Sequence, residues 1–242
     1  MATPAADRLT SRPRRFWTLV DTAPQAGGFA VRLDGRAPRS PAGAPLVVPT
    51  AALAEALAAE WRAQGDEVDA DAMPLTRLAF TAIDRGPAVR DGLVDELARF
   101  AATDTLSYFD DGAVALREEE CRRWGPLLSW AADRLGVRLE RAVGVMHRPQ
   151  PEASLDRVRE LARAEDDFVL AGLVYAAALF GSAVLALALR RDRVTAQEAH
   201  DLARLEEAWQ ERQWGVDAEA AERTARRLAE ARTAGAWFAA LA

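Results

Sequence analysis

The sequence contains no lysine, and all 31 of its basic residues are arginine. That excludes Schiff-base chemistry and the phosphate-binding loop that closes on a lysine. Cysteine occurs once, at Cys121, so no internal disulfide can form and a reducing compartment is the compatible setting. Histidine occurs twice, and neither His147 nor His200 has the carboxylate or histidine spacing of helical zinc or di-iron motifs. There is no G-x-S-x-G, and Gly27-Gly28 lacks the spacing and following helix of a dinucleotide loop. An excess of positive charge is also missing. With 37 acidic residues the net charge is −6, which argues against nucleic acid as a partner. No catalytic, metal-ligating or cofactor-binding residues are expected.

One long apolar run is present. Phe168 to Leu189 is uncharged throughout, and as a single helix it measures about 33 Å at 1.5 Å per residue. Glu165, Asp166 and Asp167 precede it and Arg190, Arg191 and Arg193 follow, which complements a helix dipole at both ends. Seven alanines, with Gly172, Tyr175, Gly181 and Ser182, dilute its hydrophobicity. It therefore reads as the buried central helix of a helical domain, without stable membrane insertion. The alternative is a protein anchored in a membrane through Phe168–Leu189.

The 242 residues divide by pattern. Residues 1–13 read as a flexible tail without the apolar core of a secretory signal. Arg8, Arg12, Arg14 and Arg15 are assigned to a solvated tail, with a contact arm as the alternative. Residues 14–85 read as a small β-rich domain with flanking helices. Phe16 to Val20 and Phe29 to Leu33 are its expected strands, separated by a turn at Pro24 to Gly28 and followed by a tight turn at Asp34-Gly35. Thr50 is placed to cap a helix carrying Leu53, Leu57 and Trp61, and Pro74 to open another. Residues 86–242 read as a larger all-helical domain, so the expected fold class is α+β. Gly86-Pro87 marks the end of a helix, and Val89 to Ala102 begins the next. Glu118 to Leu135 is expected as a helix with Cys121 buried and inert, Glu118-Glu119-Glu120 solvated, and Pro126 starting or kinking it. Val137 to Met146 reads as a connector, and Ser154 as the cap of the helix after it.

Thr195-Ala196-Gln197-Glu198 is a capping box, and one helix is expected from it to Trp214, stopped by Gly215. At 100° per residue Leu202, Leu205 and Trp209 share the core face, while Glu207, Gln210 and Trp214 lie on a second face with Glu206 between them. An off-core tryptophan beside polar residues is characteristic of protein contact sites. The residues thus point to a binding protein before an enzyme. The alternative enzyme reading is a soluble, metal-dependent one using acidic residues.

A further pattern runs through the chain. Leu33-Asp34-Gly35-Arg36, Pro41-Ala42-Gly43, Val48-Pro49, Glu60-Trp61 with Gln64, Met73-Pro74-Leu75-Thr76-Arg77-Leu78 and Thr81-Ala82-Ile83-Asp84 follow one another in order. Thr103-Asp104-Thr105-Leu106 with Tyr108, Trp124-Gly125-Pro126-Leu127-Leu128, Gly181-Ser182 and Leu205-Glu206-Glu207-Ala208-Trp209-Gln210 with Trp214-Gly215 continue it. The whole resembles the mitochondrial and alphaproteobacterial F1-ATP synthase assembly chaperone that receives the free alpha subunit. The resemblance spans about residues 14 to 240. It departs from the family at Glu118 to Cys121, where a glutamine is usual before the Trp124 motif, and at Ser107, where a cysteine is common.

The resemblance implies a β-rich N-terminal part and a helical C-terminal part without catalysis or cofactor. It implies a protein that shields the interface of the unassembled alpha subunit until the beta subunit replaces it, and a monomer in the bacterial cytoplasm is expected. It also implies a partner site at Glu206, Glu207, Gln210 and Trp214. For Glu206, contact and helix-to-helix scaffold are equally weighted, and for Glu207 contact is favoured.

Overall fold

A computed structural model describes residues 12–84, 87–144 and 146–242. Arg8 and Gly86 therefore lie outside the described residues, as does all of the expected tail except Arg12 and Pro13. The fold is α+β. The chain divides into two compact units, the first ending at Asp84 and the second at Ala240.

In the first unit, β1 (Val20–Gln25), β2 (Gly28–Leu33) and β3 (Val47–Val48) form an antiparallel sheet in that order. β1 and β2 pair from Val20↔Leu33 to Gln25↔Gly28 around a turn at Ala26-Gly27. Gly28 is needed there, because a Cβ at that position would lie 2.2 Å from the Val48 carbonyl oxygen on β3. The expected strand at Phe16 to Val20 starts only at its last residue. The cause is Asp34, whose carboxylate takes the N–H groups of Thr18 (3.1 Å) and Leu19 (2.8 Å) that a neighbouring strand would otherwise bind. Phe16 and Leu19 are exposed, while Trp17 turns inward and meets Trp61 edge-on at 5.1 Å.

Helix α1 (Ala51–Arg62) starts at Thr50, whose hydroxyl accepts the Leu53 N–H at 3.1 Å. It buries Leu53, Leu57 and Trp61 at four-residue spacing and packs on the sheet. Helix α2 (Pro74–Asp84) is capped from α1, because both Glu60 carboxylate oxygens accept its first free N–H groups, from Leu75 and Thr76, at 2.8 Å each. Burial pushes the Glu60 carboxyl above its ordinary range, and these bonds oppose the shift. Gln64 donates to the Glu60 carbonyl and accepts the Asp69 N–H, so the Glu60, Gln64 and Met73 to Leu78 motifs form one internal fastening. Three of the four arginines assigned to a tail are fixed within this unit. Arg12 pairs with Asp69 at 3.0 Å, Arg14 bridges to Glu67 through its backbone, and Arg15 donates to the Gln64 carbonyl.

The second unit begins with α3 (Pro87–Ala102) and the strand β4 (Tyr108–Phe109), followed by α4 (Val114–Trp130). The strand β5 (Ala142–Val143) pairs in parallel with β4, inside the segment read from sequence as a connector. Val145, also in that segment, lies outside the described residues. Then come α5 (Glu152–Arg163), α6 (Asp167–Phe180), α7 (Ala183–Arg190), α8 (Ala196–Ala203), α9 (Leu205–Trp214) and α10 (Ala218–Ala240). α5 packs on α3, while α6 packs on α3, α7 and α10. Gly172 lets α10 approach, since a Cβ there would sit 2.6 Å from the Trp237 ring, whose Nε1 donates to the Phe168 carbonyl at 3.0 Å.

The apolar run is not one helix. Gly181 takes a left-handed conformation (φ 64°) and ends α6, and the Ser182 hydroxyl caps α7 by accepting the Leu185 N–H at 3.0 Å. The break is fastened from the Thr103 to Leu106 motif. Thr105 donates to the Gly181 carbonyl through its backbone (3.0 Å) and its hydroxyl (2.9 Å), and the buried Asp104 accepts the Val184 N–H at 3.0 Å. The pieces measure about 21 Å and 12 Å at 1.5 Å per residue. No helix among the described residues is long and apolar enough to cross a membrane.

Other expectations need correction. α4 starts one turn earlier than expected and runs through Pro126 into a π turn at Ala131–Leu135, stopped by Gly136 at φ 75°. Its buried stripe is Leu116, Glu120, Trp124 and Leu127-Leu128, so Glu120 is buried and Cys121, one position off the stripe, is exposed. α5 starts at Glu152, ahead of Ser154. The Ser154 hydroxyl instead donates to the Arg138 carbonyl (2.7 Å) and accepts its N–H (3.1 Å), holding the approach to β5.

Candidate partner-binding site

The capping box at Thr195 opens α8, with the Glu198 N–H on the Thr195 hydroxyl and the Thr195 N–H on the Glu198 carboxylate. The helix does not continue to Trp214. It breaks at Arg204 (φ −114°, ψ 26°), and α9 starts afresh at Leu205. Ending α8 there frees a carbonyl at Leu202, which accepts the Trp124 indole N–H at 3.0 Å. Leu202 and Leu205 are buried as expected, but Trp209 is half-buried, because the break alters the rotation between the two helices. Leu205 is the single buried residue of α9.

α9 lies against α4. Arg212 donates to Glu119 at 2.8 Å and stands over the Trp209 ring at 5.2 Å. Arg204 pairs with Glu211 and approaches Glu207 at 3.7 Å. These pairs tie α9 down mainly through charge, and each has at least one partly exposed member.

On the free side the structure exposes Glu207, Gln210 and Trp214, which at helical spacing share a face. Trp214 is 80% exposed, and Val216 beyond it is exposed as well. Glu206 is an exposed residue whose carboxyl turns back to α4 and stands within reach of the Glu120 carboxyl. The four expected residues are thus one helix with two surfaces, Glu206 toward α4 and the other three toward solvent.

Two residues that the sequence reading did not connect to this site are Glu120 and Asp110. Glu120 has no exposed surface, and its Oε2 accepts the Asp110 N–H at 2.9 Å. Burial, with the Glu206 and Asp110 carboxylates nearby, pushes its carboxyl up to about 7. Burial and the negative charge of Asp110 also raise Glu206. The signal for Glu120 was its position four residues from both Leu116 and Trp124, which put it on the buried stripe.

Among the described residues, no group of three or more His, Cys, Asp or Glu is placed to hold a metal ion. His200 is buried beside Asp201, and His147 meets the Tyr108 hydroxyl at 3.1 Å. What the α9 surface offers is an exposed indole flanked by a carboxylate and an amide, a combination suited to another protein's mixed apolar and polar surface.

A family described as ATP12 chaperone protein matches residues 14–132. The crystal structure of Atp12 from Paracoccus denitrificans is similar at a TM-score of 0.88 and 39% identity, covering 94% of this chain and 98% of that one. A point variant of P. denitrificans Atp12p has the same TM-score and identity, with 94% and 97% covered. The mitochondrial protein atp12 of Schizosaccharomyces pombe is 28% identical over 214 residues, 84% of this chain and 74% of the relative.

Proposed function

This chain belongs to the ATP12 family of F1-ATP synthase assembly chaperones, and from that premise we propose that it binds the unassembled alpha subunit and shields its interface until the beta subunit replaces it. It does so without catalysis, as a monomer in the bacterial cytoplasm. A subunit made for a ring exposes a large apolar surface when alone, and such surfaces aggregate. A chaperone must cover that surface and still be displaced, which favours a small, mixed contact over an extensive dry one.

Glu206, Glu207, Gln210 and Trp214 are the proposed partner site. The observation that carries it is the 80% exposure of Trp214 on a face shared with Glu207 and Gln210. A tryptophan left in water contributes little to the fold, whereas at an interface it is among the strongest anchors. Glu206 is assigned chiefly to holding α9 on α4, and Glu207 to contact.

The test is co-elution of the purified chain with isolated alpha subunit. The wild type forms a complex, and Glu207→Lys and Trp214→Ala lose it with helical content and Tm unchanged. Binding by both variants moves the site elsewhere, and no binding by the wild type to a folded, monomeric alpha subunit refutes the proposed partner.

A further inference from the structure

Glu120 poses a problem of hydrogen bonding. Its side chain is completely buried, its Oε2 is satisfied by the Asp110 N–H, and its Oε1 is buried without a bond from any N–H or hydroxyl group. The group it meets across the α4–α9 contact is the Glu206 carboxyl. Two ionised carboxylates are both acceptors and repel each other, so a bond between them requires one proton.

The charged surroundings supply no substitute for that proton. Asp110 from the loop after β4 and Glu207 on α9 add negative charge. Arg117, one turn back on α4, gives its guanidinium to the Asp110 carbonyl at 3.2 Å. Arg123 and Arg212 reach Glu119, and Arg204 is held by Glu207 and Glu211. From α7, Ala183 to Leu189 contributes no ionisable side chain, and neither does the helical turn Thr105–Ser107. Tyr108 on β4 bonds His147.

We propose that Glu120 and Glu206 share a single proton, held on Glu120, and that this carboxyl–carboxylate bond is a pH-sensitive clasp that docks α9 on α4. α9 has one buried side chain of its own, so removing the clasp replaces a bond with repulsion where there is little apolar packing to resist it. When the proton leaves, the acidic cluster Asp110, Glu120, Glu206 and Glu207 carries full charge and α9 loosens. The clasp rests on the buried, unbonded Glu120 oxygen at the α4–α9 contact and the Glu206 carboxyl beside it. Its consequence, that the partner face on α9 is presented in a fixed orientation below neutral pH and loosely above it, rests on the chaperone reading.

The sign of the effect follows from the folded and unfolded values. Glu120 goes from the usual 4.5 to about 7 in the fold. Its stabilising contribution is therefore complete below 4.5 and lost as pH rises through 7.

Carboxyl carbon NMR of the full chain, with amide hydrogen exchange over residues 205–214, tests the clasp. The two carboxyls are expected to titrate as a coupled pair with the upper step near pH 7. Exchange from α9, corrected for intrinsic rates, should rise about tenfold between pH 6 and 8.5, the factor equivalent to one pKa unit. Glu120→Gln keeps a donor without the titration, so it should abolish the rise and leave Glu206 titrating alone in a single step. Should Glu120→Gln not fold, Glu206→Gln sets an amide donor against Glu120 in place of a like charge, so it should lower the upper step and shrink the rise in exchange. Independent titration of the two carboxyls near 4.5, or an equal rise in the variant, overturns the proposal. Alpha-subunit affinity should be greater at pH 6 than at pH 8.5, and equal affinity overturns the regulatory role. Absence of binding at both values counts against the chaperone reading and leaves the clasp to be decided by the NMR titration.

Discussion

The helix pairs α6–α7 and α8–α9 are each built around a sharp break, and the surroundings of the two breaks differ. At Gly181-Ser182 the backbone groups released by the break are taken up by Thr105, Asp104 and Ser182, and apolar residues from both helices close around it. At Arg204 the freed Leu202 carbonyl finds Trp124, but the helix beyond buries Leu205 alone and relies on ion pairs and a carboxyl pair. The same local event builds a core in one place and presents a surface in the other. The difference lies in the composition that follows the break, AVLALAL after Ser182 and EEAWQERQW after Leu205.

The comparison can be sharpened by substitutions on each side of it. Leu173→Ala, in the fully buried stretch of α6, should destabilise the fold by about 2–5 kcal/mol, measured from the urea midpoint and slope. Ser182→Ala removes the cap of α7 and should cost roughly 1–2 kcal/mol in the same measurement. Trp214→Ala should change stability by less than about 0.5 kcal/mol, because the side chain stands in solvent. A Trp214→Ala cost as large as that of Ser182→Ala would break the comparison, since it would make α9 part of the folding core.

The legible parts of the sequence were those whose cause is local. The Thr195 to Glu198 capping box, Thr50 before α1 and Pro74 at the start of α2 each act within one helical turn. The break at Gly181-Ser182 was harder to read because apolar residues continue on both sides of it, so the hydrophobic pattern hides the interruption. A glycine followed at once by a good capping residue is the signal that was present. β4 and β5 were not legible, since two-residue strands carry no period and their pairing joins distant parts of the chain. At the candidate site, the exposure of Glu207, Gln210 and Trp214 follows from helical spacing, but the Glu120–Glu206 contact does not. Three consecutive glutamates suggest solvent, and only the stripe from Leu116 to Trp124 places the third of them inside.

The central claim, that α9 carries the partner surface while α6–α7 forms the core behind it, is tested most directly by amide hydrogen exchange. Exchange should be followed in this chain alone and with isolated alpha subunit, at one pH below neutrality. The account predicts added protection over residues 205–214 and around Trp214, with α6 and α7 unchanged. Formation of a complex that protects only the first unit, leaving residues 205–214 as they were, would contradict it.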